Sequence, residues 1–259
     1  MNSLIGSIFI GFLQGVLEWL PVSSEGNLVI ILVGLFGFEV DSTISTVIFL
    51  HIGTGFSALV YFRLEVIDIL VGRTDETRSL RLKLFVITLI TGLVGFPIYL
   101  WLDVSTVYSE LLLVVTGLAL ITTGLLQREA GKREEGVVDL SWPLSTLLGV
   151  AQGLAIMPGL SRSGLTTSIM LLNKYTSENA FRLSFLMSIP ASFAAAFGLM
   201  LLKDFSLDPF TAFSSLVAAI IGYITIGGLL KVARAVSFWK ICVALGVLTI
   251  IIWLPVLTV

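Results

Sequence analysis

An arginine stands between two apolar runs in the segment 158–167, which reads PGLSRSGLTT. A charged side chain at membrane depth is costly and usually serves a site, so Arg162 is a candidate functional residue. Its planar guanidinium suits phosphate oxygens. The residues after the break at Pro158 suit a helix N-terminus, where free N–H groups and the helix dipole favour an anion. The segment therefore predicts an anion site, and the neighbouring candidate ligands are Ser161, Ser163, Gly164 and Thr166.

A second candidate group lies near the N-terminus, where Gln14 and Glu18 are four residues apart. This spacing puts both side chains on one face of a helix. Glu18 is the only acidic residue in the apolar run 4–20. It is predicted either to bind a divalent cation through hard oxygen ligands, with Gln14 beside it, or to act as a general base. The alternative is an interfacial glutamate that lies with Trp19 at the membrane surface.

A polar break follows at 21–27 and reads PVSSEGN. A serine pair near a helix start is most often an N-cap. A serine here is a candidate nucleophile only if a base lies beside it. Glu25 is interpreted as a residue of an outward-facing mouth.

Two more interpretations remain open. His51 is the only histidine, and a lone histidine in a span is more often a packing residue than a catalyst. Arg162 has no acid in its own segment, so its partner must come from elsewhere in the chain or from a ligand. A structural ion pair with Glu18, without any ligand, is the alternative to a phosphate site.

The composition indicates a polytopic membrane protein. Of 259 residues, 56% are hydrophobic and only 12% are charged, which is about half the charged fraction of a soluble domain. The net charge of −2 does not suggest a nucleic-acid partner. One cysteine and one histidine exclude a disulfide and a multi-histidine metal site. The first apolar run lacks a basic flank, so a signal peptide is not expected.

Two apolar runs are broken by polar residues, at about 4–36 and about 144–172. Broken backbone is tolerated at membrane depth only where protein or water covers it. The sequence therefore predicts an all-α polytopic membrane protein, a single domain 1–259, with six transmembrane helices and two re-entrant helical hairpins. The six predicted spans are 45–62, 84–102, 111–126, 181–202, 213–230 and 241–257.

The basic residues predict the orientation. Thirteen of the 15 Lys and Arg residues fall on one face if each broken run returns to the face from which it enters, whereas the opposite loops are acidic and hold only Lys203. Lys and Arg are enriched in cytoplasmic loops. Both termini, and the cleft of the site, are therefore predicted to face outside the plasma membrane.

An internal repeat relates the two broken runs. GFLQG at 11–15 matches GVAQG at 149–153, and at the same offset Ser23 and Gly26 match Ser161 and Gly164. Two halves of opposite orientation, each with a broken helix near its start, are typical of an inverted-topology repeat. The predicted halves are 1–126 and 142–259, and their broken helices are expected to meet near the midplane.

At these residues the chain resembles the undecaprenyl-diphosphate phosphatase (bacitracin-resistance) family. That family has an acid or glutamine and a glutamate four apart, then PVSS-x-G, and later PG-x-SRS-x-x-T; here these are Gln14 with Glu18, 21–26 and 158–166. The resemblance covers nearly the whole chain and implies the same spans and hairpins. It also implies hydrolysis of a C55 polyprenyl diphosphate to the monophosphate and phosphate, usually with Mg²⁺ or Ca²⁺. This reaction recycles the lipid carrier for cell-envelope synthesis.

The resemblance implies Glu18, Ser24 and Arg162 as catalytic residues, with Ser23 and Asn27 among those that bind substrate. Asn27 stands where the family commonly has a histidine, and asparagine cannot shuttle a proton near neutral pH. The nucleophile is either water or Ser24, and the acid–base group is either Glu18 or His51.

The rival prediction is a polyprenyl-phosphate transporter or flippase with little or no hydrolysis, because inverted repeats with broken helices are also typical of transporters. A homodimer is a further expectation.

Overall fold

The computed structural model describes residues 4–104, 109–130, 140–202, 207–235 and 238–254. Its helices, in chain order, are α1 (Leu4–Leu17), α2 (Ser24–Val29, continued by a π-helical segment, Ile30–Leu35), α3 (Val40–Tyr61), α4 (Arg63–Val71), α5 (Asp75–Val104), α6 (Ser109–Ala130), α7 (Trp142–Leu154), α8 (Arg162–Leu172), α9 (Ser177–Leu202), α10 (Pro209–Ala235) and α11 (Trp239–Trp253).

The helices have the apolar character of a membrane protein. Among the described residues, four helical stretches are long and apolar enough to span a bilayer: Ser42–Tyr61, Asp75–Trp101, Ser177–Leu201 and Pro209–Gly228. Large apolar side chains such as Leu93, Leu201 and Ile251 remain exposed on the outer helix faces. Large apolar side chains exposed in this number favour contact with lipid or another apolar partner. The prediction of an all-α membrane protein is confirmed for the described residues.

The helix bounds differ from the predicted spans mainly on the side rich in basic residues. A short helix, α4, was not predicted; it ends at Gly72, whose φ of 66° is left-handed. The side chains of α5 then bond back to this turn, since Arg78 Nε donates to Gly72 O at 2.8 Å and Arg81 Nη1 donates to Leu70 O at 2.7 Å. These bonds allow α5 to start at Asp75, nine residues before the predicted span. The last predicted span corresponds to α11, and its residues 255–257 lie outside the described residues.

Both predicted breaks are present. The first lies between α1 and α2, and the second between α7 and α8. Ser23 caps α2 by accepting from Gly26 N at 3.1 Å, and Ser161 caps α8 by accepting from Gly164 N at 3.0 Å. The residues that match in the sequence repeat therefore make the same side-chain cap bond at both breaks, although φ is 60° at Ser23 and −65° at Ser161.

The matched GxxxG motifs pack in the same way too. Helix α1 lies along α10, and a Cβ added at Gly11 would lie 2.4 Å from Ser214 O. Helix α7 lies along α5, and a Cβ at Gly153 would lie 2.7 Å from Val94 Cβ. Small residues at such contacts let helix backbones approach closely, which favours association in a bilayer. The remaining large contacts join α3 to α9 and α10, and α6 to α11.

The closest of these approaches predicts a stability effect. A Cβ at Gly53 of α3 would lie 2.1 Å from Ser215 O of α10, where backbone cannot yield without shifting the helix. We expect Gly53→Ala to lower the free energy of unfolding by about 1–3 kcal/mol, as overpacking does. The measurement is the thermal unfolding midpoint in detergent. The control is Gly228→Ala in α10, where an added Cβ meets nothing within 4 Å. An equal midpoint for both variants would contradict the helix contact.

Candidate active site

The Glu18 carboxylate is the centre of the site. It is 5% exposed and lies in the first break, one residue beyond the end of α1. Its Oε2 accepts from Ser24 Oγ at 2.7 Å and from Gln14 Nε2 at 3.2 Å, and its Oε1 accepts from Arg162 Nη2. The neighbouring Trp19 is 1% exposed and donates through Nε1 to a carbonyl of α10. Burial of both side chains within the protein contradicts the interfacial alternative for Glu18.

His51 also faces this carboxylate. Its Nε2 lies 3.3 Å from Glu18 Oε2, while its Nδ1 lies 2.8 Å from the carbonyl oxygen of Val47, one turn earlier in α3. Both ring nitrogens therefore face oxygen acceptors, an arrangement that suits the doubly protonated ring. His51 accordingly belongs to the site and is not only a packing residue of α3.

Arg162 is the first residue of α8, and its guanidinium reaches across to the first break. Nη1 donates to Ser184 O at 3.2 Å, and the guanidinium carbon lies 5.8 Å from the ring centre of Phe185, both on α9. Beside this contact, Thr166 Oγ1 and Ser184 Oγ share a hydrogen bond of 2.7 Å. Helix α9 thus orients Arg162 toward Glu18. The contact between these two residues joins the two halves of the repeat.

The two breaks touch each other directly. Gly159 has a φ of 93°, which only glycine adopts readily, and a Cβ there would lie 2.3 Å from Thr116 O of α6. A Cβ at Gly26 would lie 2.7 Å from Gly159 N. Ser163 Oγ donates to Leu20 O at 3.3 Å. The glycines of both motifs are therefore needed because backbone passes against backbone where the breaks meet.

One cavity of about 240 Å³ joins the polar cluster to an apolar cleft. The cleft lies between α5 and α9, and small residues including Gly92, Gly95, Ala194 and Gly198 line it. The polar end of the cavity is lined by Glu18, Ser23, Ser24, Glu25, His51, Ser161, Arg162 and Ser163.

Comparison with known proteins identifies the family. A family model described as "Bacitracin resistance protein BacA" matches residues 7–248. The chain belongs to this family. It is 40% identical over 266 residues to a protein of Methanococcoides burtonii named undecaprenyl-diphosphatase, covering 97% of this chain and 98% of that one. Proteins with the same name from Haloarcula marismortui (40% identity, 97% of each chain) and Methanothrix thermoacetophila (33%, 94% of each chain) are also similar.

In this member of the BacA family, the side chain of Asn27 has a structural role. Its Nδ2 donates to Val22 O at 2.7 Å and to Ser23 O at 2.8 Å, so its side chain holds the backbone of the first break. It is not among the residues that line the cavity, and neither are Gln14, Gly164 and Thr166. Their predicted contacts with substrate remain predictions. Gln14 is fully buried and turns its amide nitrogen toward Glu18, so the predicted cation ligation by this pair also remains a prediction.

Two cavity residues were not predicted to take part in catalysis or substrate binding. Glu25, interpreted as a residue of the mouth, is only 8% exposed. Gln152 lies at the position that matches Gln14 in the repeat, and its Nε2 donates to Thr91 Oγ1 at 3.1 Å. The repeat gave a signal for Gln152, since GVAQG matches GFLQG. No spacing rule signals the burial of Glu25, because that depends on how α2 packs.

Proposed function

We propose that this chain hydrolyses undecaprenyl diphosphate to undecaprenyl monophosphate and inorganic phosphate. The observation that carries the proposal is the single cavity in which the Arg162–Glu18 pair opens onto an apolar cleft. Such a cavity suits a ligand with a highly charged head and an apolar tail. Family membership and relatives named undecaprenyl-diphosphatase support the same reaction.

The diphosphate would lie at the polar end of the cavity. Arg162 provides fixed positive charge for the phosphate oxygens and for charge that develops during transfer. Ser161 and Ser163 line the same end, and their hydroxyl oxygens are 3.3 Å from each other. The prenyl tail would leave through the cleft between α5 and α9, where small side chains leave room for it.

Ser24 is the nucleophile in this proposal. Its Oγ lies 2.7 Å from Glu18 Oε2, which is the arrangement of a nucleophile with its base. Ser24 Oγ attacks the terminal phosphorus, its proton passes to Glu18, and the bond from that phosphorus to the bridging oxygen breaks. Undecaprenyl monophosphate leaves. Water then attacks the phosphoserine, so that phosphate is released and the Ser24 hydroxyl is restored.

His51 is the proton donor that replaces the histidine absent at position 27. Its Nε2 reaches the same carboxylate oxygen as Ser24, and its ring lines the cavity. In this role it gives a proton to the leaving phosphate as the bridging bond breaks. Glu18 and His51 together then provide the base and the acid that Asn27 cannot.

The proposal includes the predicted membrane arrangement of six spans and two re-entrant hairpins. The matched N-caps at Ser23 and Ser161, and the matched pairings of α1 with α10 and of α7 with α5, support an inverted repeat. The basic residues support external termini and a cleft that opens outward from the plasma membrane. A divalent cation, Mg²⁺ or Ca²⁺, is part of the proposed reaction.

The test measures phosphate release and lipid translocation on the same proteoliposomes with undecaprenyl diphosphate. We expect phosphate to be released in proportion to protein. Translocation of the lipid without phosphate release would overturn the proposal in favour of the transporter.

Ser24→Ala separates the two candidate nucleophiles. Because the proposed reaction passes through a phosphoserine, we expect loss of at least about 10³-fold in kcat. Acid quenching of the unchanged protein with substrate labelled in the terminal phosphate should trap label on the chain. The control is Ser42→Ala, which removes an exposed hydroxyl outside the cavity. A Ser24→Ala protein that hydrolyses within tenfold of the unchanged protein would assign the attack to water.

A further inference from the structure

Glu25 is a largely buried carboxylate that accepts no hydrogen bond from the described part of the chain. It lies in the first turn of α2, is 8% exposed and lines the polar end of the cavity. Its charged neighbours are His51 and Glu18, and both of these already contact each other. Among the described residues, no side chain or backbone group donates a hydrogen bond to Glu25. Because its oxygens open onto the cavity, this carboxylate takes its donors or its positive partner from the contents of the cavity.

Glu18 presents the opposite case. Its oxygens already face donors from Ser24, Gln14 and Arg162, and His51 lies against the same group. A carboxylate has about four lone-pair sites. A cation at Glu18 would therefore have to displace a donor, whereas a cation at Glu25 would displace none.

The carboxylate oxygens of Glu25 are therefore acceptors at the polar end of the cavity for which the described residues provide no donor. A diphosphate cannot satisfy such groups, because its oxygens are themselves acceptors and negatively charged. A hydrated divalent cation can, since it brings positive charge and the O–H donors of its water ligands.

We propose that Glu25 binds the divalent cation that enters with the diphosphate. The inference rests on the proposed function, and it assigns the cation to a residue other than the Gln14–Glu18 pair. A carboxylate is the hard oxygen ligand that Mg²⁺ and Ca²⁺ prefer, and Mg²⁺ is usually held by one or two carboxylates together with substrate phosphates. When bound, the cation neutralises phosphate charge beside Arg162. Glu25 would hold it there, and its carboxylate would then no longer repel a terminal phosphate near Ser24.

The test is Mn²⁺ binding, followed by electron paramagnetic resonance, with a non-hydrolysable prenyl methylenediphosphonate present. We expect Glu25→Gln to weaken Mn²⁺ binding at least tenfold and to raise the Mg²⁺ concentration for half-maximal phosphate release by a similar factor. Glu25→Asp keeps the carboxylate and should retain Mn²⁺ binding. The matched control is Glu39→Gln, which removes the same charge at an exposed position outside the cavity.

Unchanged Mn²⁺ affinity in Glu25→Gln would overturn the inference, even if hydrolysis were lost, because Glu25 would then act by moving a proton. Equal loss in Glu25→Gln and Glu39→Gln would overturn it as well, since the effect would come from net charge. Failure of the proposed function is separate from these results. In that case the unchanged protein releases no phosphate with any cation, while the Mn²⁺ comparison still reports on Glu25.

Discussion

Arg162→Gln is expected to lower kcat/KM for phosphate release by a factor of about 10³ to 10⁵, the range found when an arginine that stabilises phosphoryl transfer is removed. Arg162→Lys should recover only a small part of this loss. A lysine keeps the charge, but it cannot contact Glu18 and Ser184 O together while lying over the Phe185 ring, as the guanidinium does. The measurement is phosphate release by purified protein in detergent.

If Arg162 and Glu18 form only a structural ion pair, a different result is expected. A double variant separates this alternative from a catalytic role for Arg162. Arg162→Gln leaves Glu18 buried without its cation, which costs about 3–5 kcal/mol of stability when one partner of a buried pair is removed. The double variant Arg162→Gln with Glu18→Gln removes the charge of both partners of this pair, so its thermal midpoint should recover most of the loss. Its activity should not recover, because it lacks both the guanidinium of Arg162 that binds phosphate and the carboxylate of Glu18 that activates Ser24. Recovered activity in the double variant would show that the pair is structural only.

The control for this series is Arg182→Gln. Arg182 forms an ion pair with Glu65 in which both side chains are partly exposed, outside the cavity. Exposed pairs of this kind contribute about 0–1 kcal/mol. Its removal should therefore leave both kcat/KM and the midpoint near those of the unchanged protein.

The breaks could be predicted from sequence because the residues that cause them act locally. Pro158 restricts its own φ and lacks a backbone donor, Gly159 permits a positive φ, and the serines cap the helices that follow. The partnership of Arg162 with Glu18 could be anticipated as well, because a buried charge needs a partner and the apolar runs offer few acids. Both inferences depend on rules that can be applied to the sequence alone.

His51 was one of two candidate acid–base groups, but its contact with Glu18 and the burial of Glu25 could not be predicted in this way. His51 reaches Glu18 only because α3 packs beside the first break, and its sequence position resembles that of any packing residue. Glu25 is next to Ser24 in the chain, but the turn of α2 decides whether it faces solvent or the cavity. The early start of α5 depends likewise on arginine bonds to the Gly72 turn. All three features depend on how side chains pack in the folded chain, which local sequence rules do not describe.

His51→Gln is expected to lower kcat by a factor of about 10² to 10⁴, the usual contribution of a positioned proton donor. Glutamine preserves much of the side-chain volume and can still hydrogen-bond to Glu18, but it cannot give up a proton. We therefore also expect the limb of the pH–rate profile that reports deprotonation of the imidazolium to disappear. The other carboxylates at the cavity, Glu18 and Glu25, the phenol of Tyr99 and the fixed charge of Arg162 stay in place. The measurement is kcat across pH with saturating substrate.

Asn27→Ala is the companion variant, because position 27 is where the family histidine would stand. Loss of the two bonds from Asn27 to Val22 O and Ser23 O should lower the thermal midpoint. It should leave kcat and the pH profile of the folded protein close to those of the unchanged chain, since Asn27 does not line the cavity. If His51→Gln kept the full pH profile and lost only substrate affinity, His51 would merely position Glu18. The proton would then have to come from the carboxyl of Glu25, the remaining titratable group that lines the polar end among the described residues.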